Sequence, residues 1–359
     1  QMSSDPLVIF TPSGKRGHFA IGTPILTAAR QLEDKFNEGS HLGLLGVAYA
    51  QLGQTAHAIK LYEQRFELAR EINDRRGEAD VLGNLGIAHQ RLGELPRAIN
   101  FYEQQWAIVR SYIDQHSTDE QEDEQVQYTP REDDLYEQDQ RKNELRCEVN
   151  VLGNLGNAYS QQGDWKRATE FYQKAGAIAH EIGDQQREAI TLGNLGTVAY
   201  AQGDLREADK LYQKMLKLVS RFGDRSGEAI ALTNLGLINA QLGLSRKALK
   251  QHQEALDLIR ELGDTRREVQ ILGHLGLAHH KNGNHKEAIE CYQEQLDMAR
   301  DMANRYEEAN ALSNLANVYA SQDKRQEAIE GYQQALTIEQ ALGNRRAEGR
   351  TLGNLATIH

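Results

Sequence analysis

Apolar residues return along most of the chain at intervals of three and four, in runs that end at a glycine followed by a polar residue. Between residues 188 and 227, EAITLGNLGTVAYAQ leads into Gly203-Asp204, and LREADKLYQKMLKLVSRF leads into Gly223-Asp224. Helical spacing cut off by glycine predicts two antiparallel helices joined by short turns. The pattern then recurs. VLGNLG at 81–86 returns at 151–156, 191–196 (TLGNLG), 231–236 (ALTNLG), 271–276 (ILGHLG), 311–316 (ALSNLA) and 351–356 (TLGNLA), with HLGLLG at 41–46 as a weaker first copy. The spacing is 40 residues, apart from one interval of 70 between the second and third copies. Eight helical hairpins with a 30-residue insertion, the last hairpin truncated, are therefore expected.

A glutamate opens the first helix of each copy (Glu38, Glu78, Glu148, Glu188, Glu228, Glu268, Glu308 and Glu348), where negative charge interacts favourably with the helix dipole. At 100° per residue, Leu192, Leu195, Gly196 and Ala199 share one stripe, and Ile190, Asn194, Thr197 and Ala201 the opposite one. The leucine stripe should bury against the second helix, with Gly196 and the facing Ala208 allowing close approach. The other stripe is harder to explain by stability. Asparagine recurs on it, usually after a glycine, and both residues are poor helix formers, glycine by roughly 1 kcal/mol against alanine. An asparagine amide offers a donor and an acceptor, which suits the main chain of an extended peptide. The competing reading is that these amides bond within the fold and hold its register.

Leu195-Gly196 in the first helix, followed by Tyr49, His89, Tyr159, His279 or Tyr319 in the individual copies, resembles the tetratricopeptide repeat. So do the alanine-tyrosine pairs Ala168/Tyr172, Ala208/Tyr212 and Ala288/Tyr292 of the second helix. The 40-residue LGNLG type is similar to Partner-of-Inscuteable adaptors, to long bacterial arrays and, more distantly, to kinesin light chains. The resemblance covers residues 37–359 and implies an all-α, right-handed superhelical solenoid whose first helices line a concave groove. It further implies that the asparagines contact ligand main chain. Matching positions are Asn84, Asn154, Asn194, Asn234, Asn314 and Asn354, while Leu44 and His274 depart from the pattern. With Asn157, Gln161 and Arg91 on the same stripe, these form the expected peptide-binding set, best developed from the second to the fifth copy. The groove lacks the Lys/Arg cluster of a carboxylate clamp.

The 359 residues carry 41 Lys+Arg against 52 Asp+Glu, a net charge of -11, which makes nucleic acid and anionic lipid poor partners. No window is apolar enough for a membrane span and no secretory signal is present, so a cytoplasmic protein is expected. Cys147 and Cys291 are isolated, without zinc or iron–sulfur spacing. His274, His279, His280 and His285 lack the spacing that would place two imidazoles on one helical face, and GNLG lies mid-helix without a P-loop lysine. Neither metal nor cofactor is expected, and no catalytic set recurs.

Residues 1–36 stand outside the period. LVIF at 7–10 and HFAI at 18–21 predict a β-hairpin, and Thr23 as N-cap with Pro24 at the first helical position predicts a following helix. This segment looks like the opening of a plant-type ferredoxin, but the cluster cysteines that should follow are absent. The insertion, about 115 to 145, has 11 acidic and 3 basic residues and the composition of a disordered loop, with its end, from about Asp139, joining the next helix. Val126, Tyr128, Leu135 and Tyr136 could anchor it in the groove as a tethered competitor, since similar kinesin light chains hold a linker there.

The chain is thus expected to be a non-enzymatic adaptor that binds a peptide segment of a protein partner. The alternatives are the sensor half of a larger signalling enzyme, an ATPase or a caspase-like protease, and a plain spacer. Its end inside a first helix suggests a fragment of a longer array.

Overall fold

The computed structural model describes residues 7–9, 15–18, 24–119 and 132–358. Sixteen helices and one two-stranded hairpin are found among them, and the chain divides into two compact units, Gln1–Thr191 and Leu192–His359.

Unit 1 opens with β1 (Leu7–Ile9) antiparallel to β2 (Arg16–His18), Val8 opposite Gly17. The second strand lies earlier than the expected 18–21, of which 19–21 fall outside the described residues. Helix α1 (Ile25–Gln31) follows, with Pro24 at its N-cap and not inside its first turn, and Thr23 is not among the described residues. First helices α2 (Lys35–Gln51), α4 (Arg75–Arg91) and α6 (Glu132–Gln162) then alternate with second helices α3 (Thr55–Glu71), α5 (Leu95–Asp119) and α7 (Trp165–Glu181). Helix α8 (Gln185–Ala201) begins in unit 1 and ends in unit 2. Unit 2 continues with second helices α9 (Leu205–Phe222), α11 (Ser245–Leu262), α13 (His285–Asp301) and α15 (Arg325–Ala341). These alternate with first helices α10 (Arg225–Gln241), α12 (Thr265–Lys281), α14 (Arg305–Ser321) and α16 (Arg345–Ile358). The fold is an all-α array of helical hairpins.

The first helices start before the glutamates, because an Asp or Asn ahead of them caps the chain. Asp74 accepts from the Gly77 amide at 2.9 Å, Asp184 from Arg187 at 3.0 Å, Asp224 from Gly227 at 2.9 Å and Asn304 from Glu307 at 3.2 Å. Several of the glutamates, one turn inside, receive the last-turn cation of the preceding helix. Arg260 meets Glu268 at 2.7 Å, Arg300 meets Glu308 at 3.1 Å, and in unit 1 Arg30 at the end of α1 meets Glu38 at 2.7 Å. Each pair complements a helix C-terminus and the next N-terminus together.

Packing within hairpins is set by small residues. Ala58, Ala98, Ala168, Ala208, Ala248, Ala288 and Ala328 of the second helices are all 0 % exposed. The glycine of the leucine stripe faces not this alanine but the ring four residues beyond it: a Cβ on Gly196 would lie 2.8 Å from Tyr212, and one on Gly276 2.7 Å from Tyr292. Around them pack Leu232, Ala255, Ile259 and Leu272 in α10 to α12, and Val149, Leu152 and Ala175 in α6 and α7.

The insertion departs from the expected loop. Helix α5 runs on to Asp119 and α6 already begins at Glu132, so apolar spacing around Val149 and Leu152 propagates N-terminally through an acidic sequence. Val126 and Tyr128, named as anchors for self-docking, lie outside the described residues, and of Leu135 and Tyr136 only the helical backbone is described. No helix among the described residues is long and apolar enough to cross a membrane.

Candidate functional site

The two stripes of the first helices separate as their periodicity requires. In α10, Leu232 and Leu235 are buried and Gly236 lies under the His252 ring of α11, while Ile230, Thr233 and Asn234 point away from that core. Between α10 and α12 they line a shallow cleft of about 180 Å³ with Arg267, Gln270 and His274.

Most of its donors are held in place by the fold. Asn234 Nδ2 donates to the Ile230 carbonyl at 2.9 Å and Thr233 Oγ1 to Ala229 at 2.8 Å, which leaves the Asn234 carbonyl oxygen as a free acceptor. Arg267 Nη1 donates to Asp264 at 2.9 Å and to Ser226 at 3.0 Å. His274 stacks on His252 with ring centroids 5.7 Å apart. Burial pushes the His252 imidazole down to about 4, the His274 ring adding to the effect, and burial also lowers His274.

The expected peptide-binding residues fall into three groups. Asn84, Asn154, Asn194 and Asn314 are half-buried, and their amides have no hydrogen-bond partner among the described residues. A second group is engaged within the fold: Asn234 as above, Asn157 through Oδ1 accepting from the Tyr172 hydroxyl at 2.7 Å, and Asn354 donating to Asn317 at 3.1 Å. Arg91 and Gln161 stand exposed at the ends of α4 and α6, and Arg91 donates to the Ala50 carbonyl at 3.2 Å, closing the end of α2.

Of the four histidines of the sixth copy, His274 turns into the cleft. His279 lies 3.3 Å from Asn284 Nδ2 and His280 3.2 Å from Ser321 Oγ. No group of three His, Cys, Asp or Glu side chains among the described residues is placed to hold a metal ion. Cys147 is exposed, and burial raises the half-buried Cys291 thiol to about 11. The His252–His274 pair was not legible as a unit: its only signal is that His252 stands where the other second helices carry tyrosine and His274 where most first helices carry asparagine.

A linear array of helical hairpins, with small residues inside each hairpin and a polar face on its first helices, defines a repeat protein of the helix-turn-helix solenoid class. The tetratricopeptide repeat profile matches residues 38–108, 147–221, 187–261, 227–301 and 307–359, and the chain belongs to that family. Its structure is similar to that of a STAND signal transduction ATPase with a tetratricopeptide repeat sensor from Pyrococcus horikoshii, with a TM-score of 0.67 and 16% identity over 91% of this chain. The match spans only 46% of that ATPase, under half its length. It is likewise similar to the apo form of RapI (TM-score 0.63, 12% identity, 86% of this chain and 99% of that one). Aspartyl phosphate phosphatase F from Bacillus subtilis aligns at TM-score 0.61 and 15% identity, over 88% and 73% of the two chains. At these identities the likeness is one of fold. A comparison with curated proteins finds no match.

Proposed function

We propose that the chain is a non-enzymatic protein-binding array whose first-helix faces hold an extended segment of a partner protein. The observation that carries this reading is the recurrence of Asn84, Asn154, Asn194 and Asn314 as half-buried amides left without partners. A half-exposed amide that bonds nothing within the fold is open to a ligand, and there are two such in each unit, on the equivalent face of their first helices. Each supplies a paired donor and acceptor, the pattern needed to bond peptide main chain. Ile87 and Ile190, 39% and 54% exposed on the same face, add apolar contact.

The test is selection of binding peptides from a random library on the intact chain, followed by calorimetry. Asn84→Ala with Asn154→Ala, or Asn194→Ala with Asn314→Ala, should weaken the selected peptides by about 5- to 100-fold while the melting temperature stays nearly constant. Unchanged affinity, or a large fall in melting temperature, would make the amides structural and the array a spacer.

A second reading has one observation in its favour: the similar STAND ATPase carries its repeats as a sensor. The chain would then be the ligand-sensing part of a larger signalling enzyme. Sequencing the full gene decides this, since an effector domain must then be encoded beside the array.

A further inference from the structure

Within unit 1, second helices α5 and α7 flank α6 and leave a cleft of about 660 Å³ between them. Trp106 and Ala107 form one wall, Ala177 and Ile178 the other, and Leu152 and Glu148 lie at its floor, 1% and 2% exposed. The cleft exists because the repeat is broken here. Ala107 and Ala177 occupy the helix position that carries Glu67, Lys217, Asp257, Asp297 and Thr337 in the other second helices. Where α5 and α7 adjoin, two larger polar side chains are therefore replaced by methyl groups.

The floor is polar and incompletely satisfied. Glu148 Oε1 accepts from Trp106 Nε1 at 3.0 Å and from Arg110 Nη1 at 3.4 Å, whereas the buried Oε2 has no partner among the described residues. A buried acceptor without a donor is unfavourable, and natural sites of this kind are completed by water or ligand. Charges of both signs already surround it. Arg110 is shared between Glu148, at 3.4 Å, and Asp114, at 3.2 Å, the Lys174 ammonium sits 5.3 Å from the centre of the Trp106 ring, and Glu103 accepts from the Tyr159 hydroxyl at 3.1 Å. A further cation would meet Arg110 and Lys174, and an anion would meet Glu148. What the cleft lacks is apolar bulk and one hydrogen-bond donor.

We propose that this cleft is a binding site for a small neutral aromatic molecule carrying a single N–H or O–H donor. The ring lies between Ala107 and Ala177 beside Trp106, and the donor bonds Glu148 Oε2. Size and lining agree with ligand pockets in general, which are mostly apolar with a few placed polar groups. Aromatic contact with an indole adds to burial. The proposal is independent of the first-helix face, which lies on other residues.

The experiment is titration of the ¹⁵N-labelled chain with indole and with N-methylindole, following the Trp106 Nε1–H resonance, assigned by its loss in Trp106→Phe. Indole should shift that resonance saturably, and N-methylindole, which lacks the donor, should bind about fivefold or more weakly. Ala177→Lys restores the residue type of Lys217 in α9, so the fold should keep its melting temperature while indole binding weakens about tenfold or more. Ala107→Asp, the residue type of Asp257, provides a second variant with the same expectation. Absence of a saturable shift, equal affinity for the two ligands, or undiminished binding in both folded variants would each overturn the proposal.

Discussion

Single residues carry the close packing of this array, and their effects can be sized. Gly276 has Tyr292 against it, 0% exposed, so the ring cannot retreat from a new methyl group placed 2.7 Å away. Gly276→Ala gains up to about 1 kcal/mol of helix propensity but should still destabilise by about 1–2 kcal/mol net, as overpacking outweighs it. Thermal and urea unfolding measure this directly. The seventh copy shows the compensated form: Ala316 replaces the glycine there, and Gly331 on the neighbouring helix leaves room, its own Cβ position being only 3.0 Å from Ala316. His252 gives a pH dependence of known sign. It is 1% exposed, Nδ1 has no partner among the described residues, and it lies against Gly236 and the His274 ring. Its folded value of about 4 lies below the ordinary 6.5, so the unfolded chain takes up the proton first. The contribution to stability is complete above about pH 6.5 and is lost as pH falls towards 4. Between those limits the protein should lose about 2–3 kcal/mol more than His252→Phe, measured by denaturant unfolding of both at each pH.

Helices and turns were the most legible level, because a 40-residue period repeats each signal many times. Helix boundaries were read less well. A glutamate suits a helix opening by its charge, yet in most copies the cap is the Asp or Asn four residues earlier, as Asp224 is before Glu228, because a short side chain reaches the free amides of the first turn. The partner of each stripe glycine was missed for a different reason: a ring sixteen residues ahead, as Tyr212 is from Gly196, is not placed by spacing within either helix. Likewise, the first-helix stripes were readable, but not that Asn157 would be taken by the Tyr172 hydroxyl or Asn234 by its own helix. The alanines at 107 and 177 carry no signal by themselves in a position that varies among Glu, Lys, Asp and Thr, and they matter only because α5 and α7 place them across one cleft. Turns supply a further expectation. Gly203, Gly223 and Gly283 close helices at φ of 82°, 76° and 80°, whereas Ala303 does so at φ 51°. A Cβ in the left-handed region costs about 1–2 kcal/mol and glycine returns part of that as unfolded-state entropy. Ala303→Gly should therefore stabilise by about 0.5–1 kcal/mol, raising the denaturant midpoint without changing the slope.

For the whole molecule the governing fact is that a repeat array has no central core. Each hairpin is stabilised by its own two helices and by its neighbours in sequence, so stability is close to a sum of local terms and falls where neighbours are fewer. In unit 2, Leu232 of α10 is 8% exposed, packed among Ala255, Leu256 and Ile259. Leu232→Ala should cost about 2–4 kcal/mol. Hydrogen exchange extends the same argument to the backbone. Leu232→Ala should accelerate exchange in α10, α11 and α12 while leaving α15 close to its original rate. If all helices of unit 2 exchanged together in both proteins, the unit would be cooperative across its full length and the additive picture would fail.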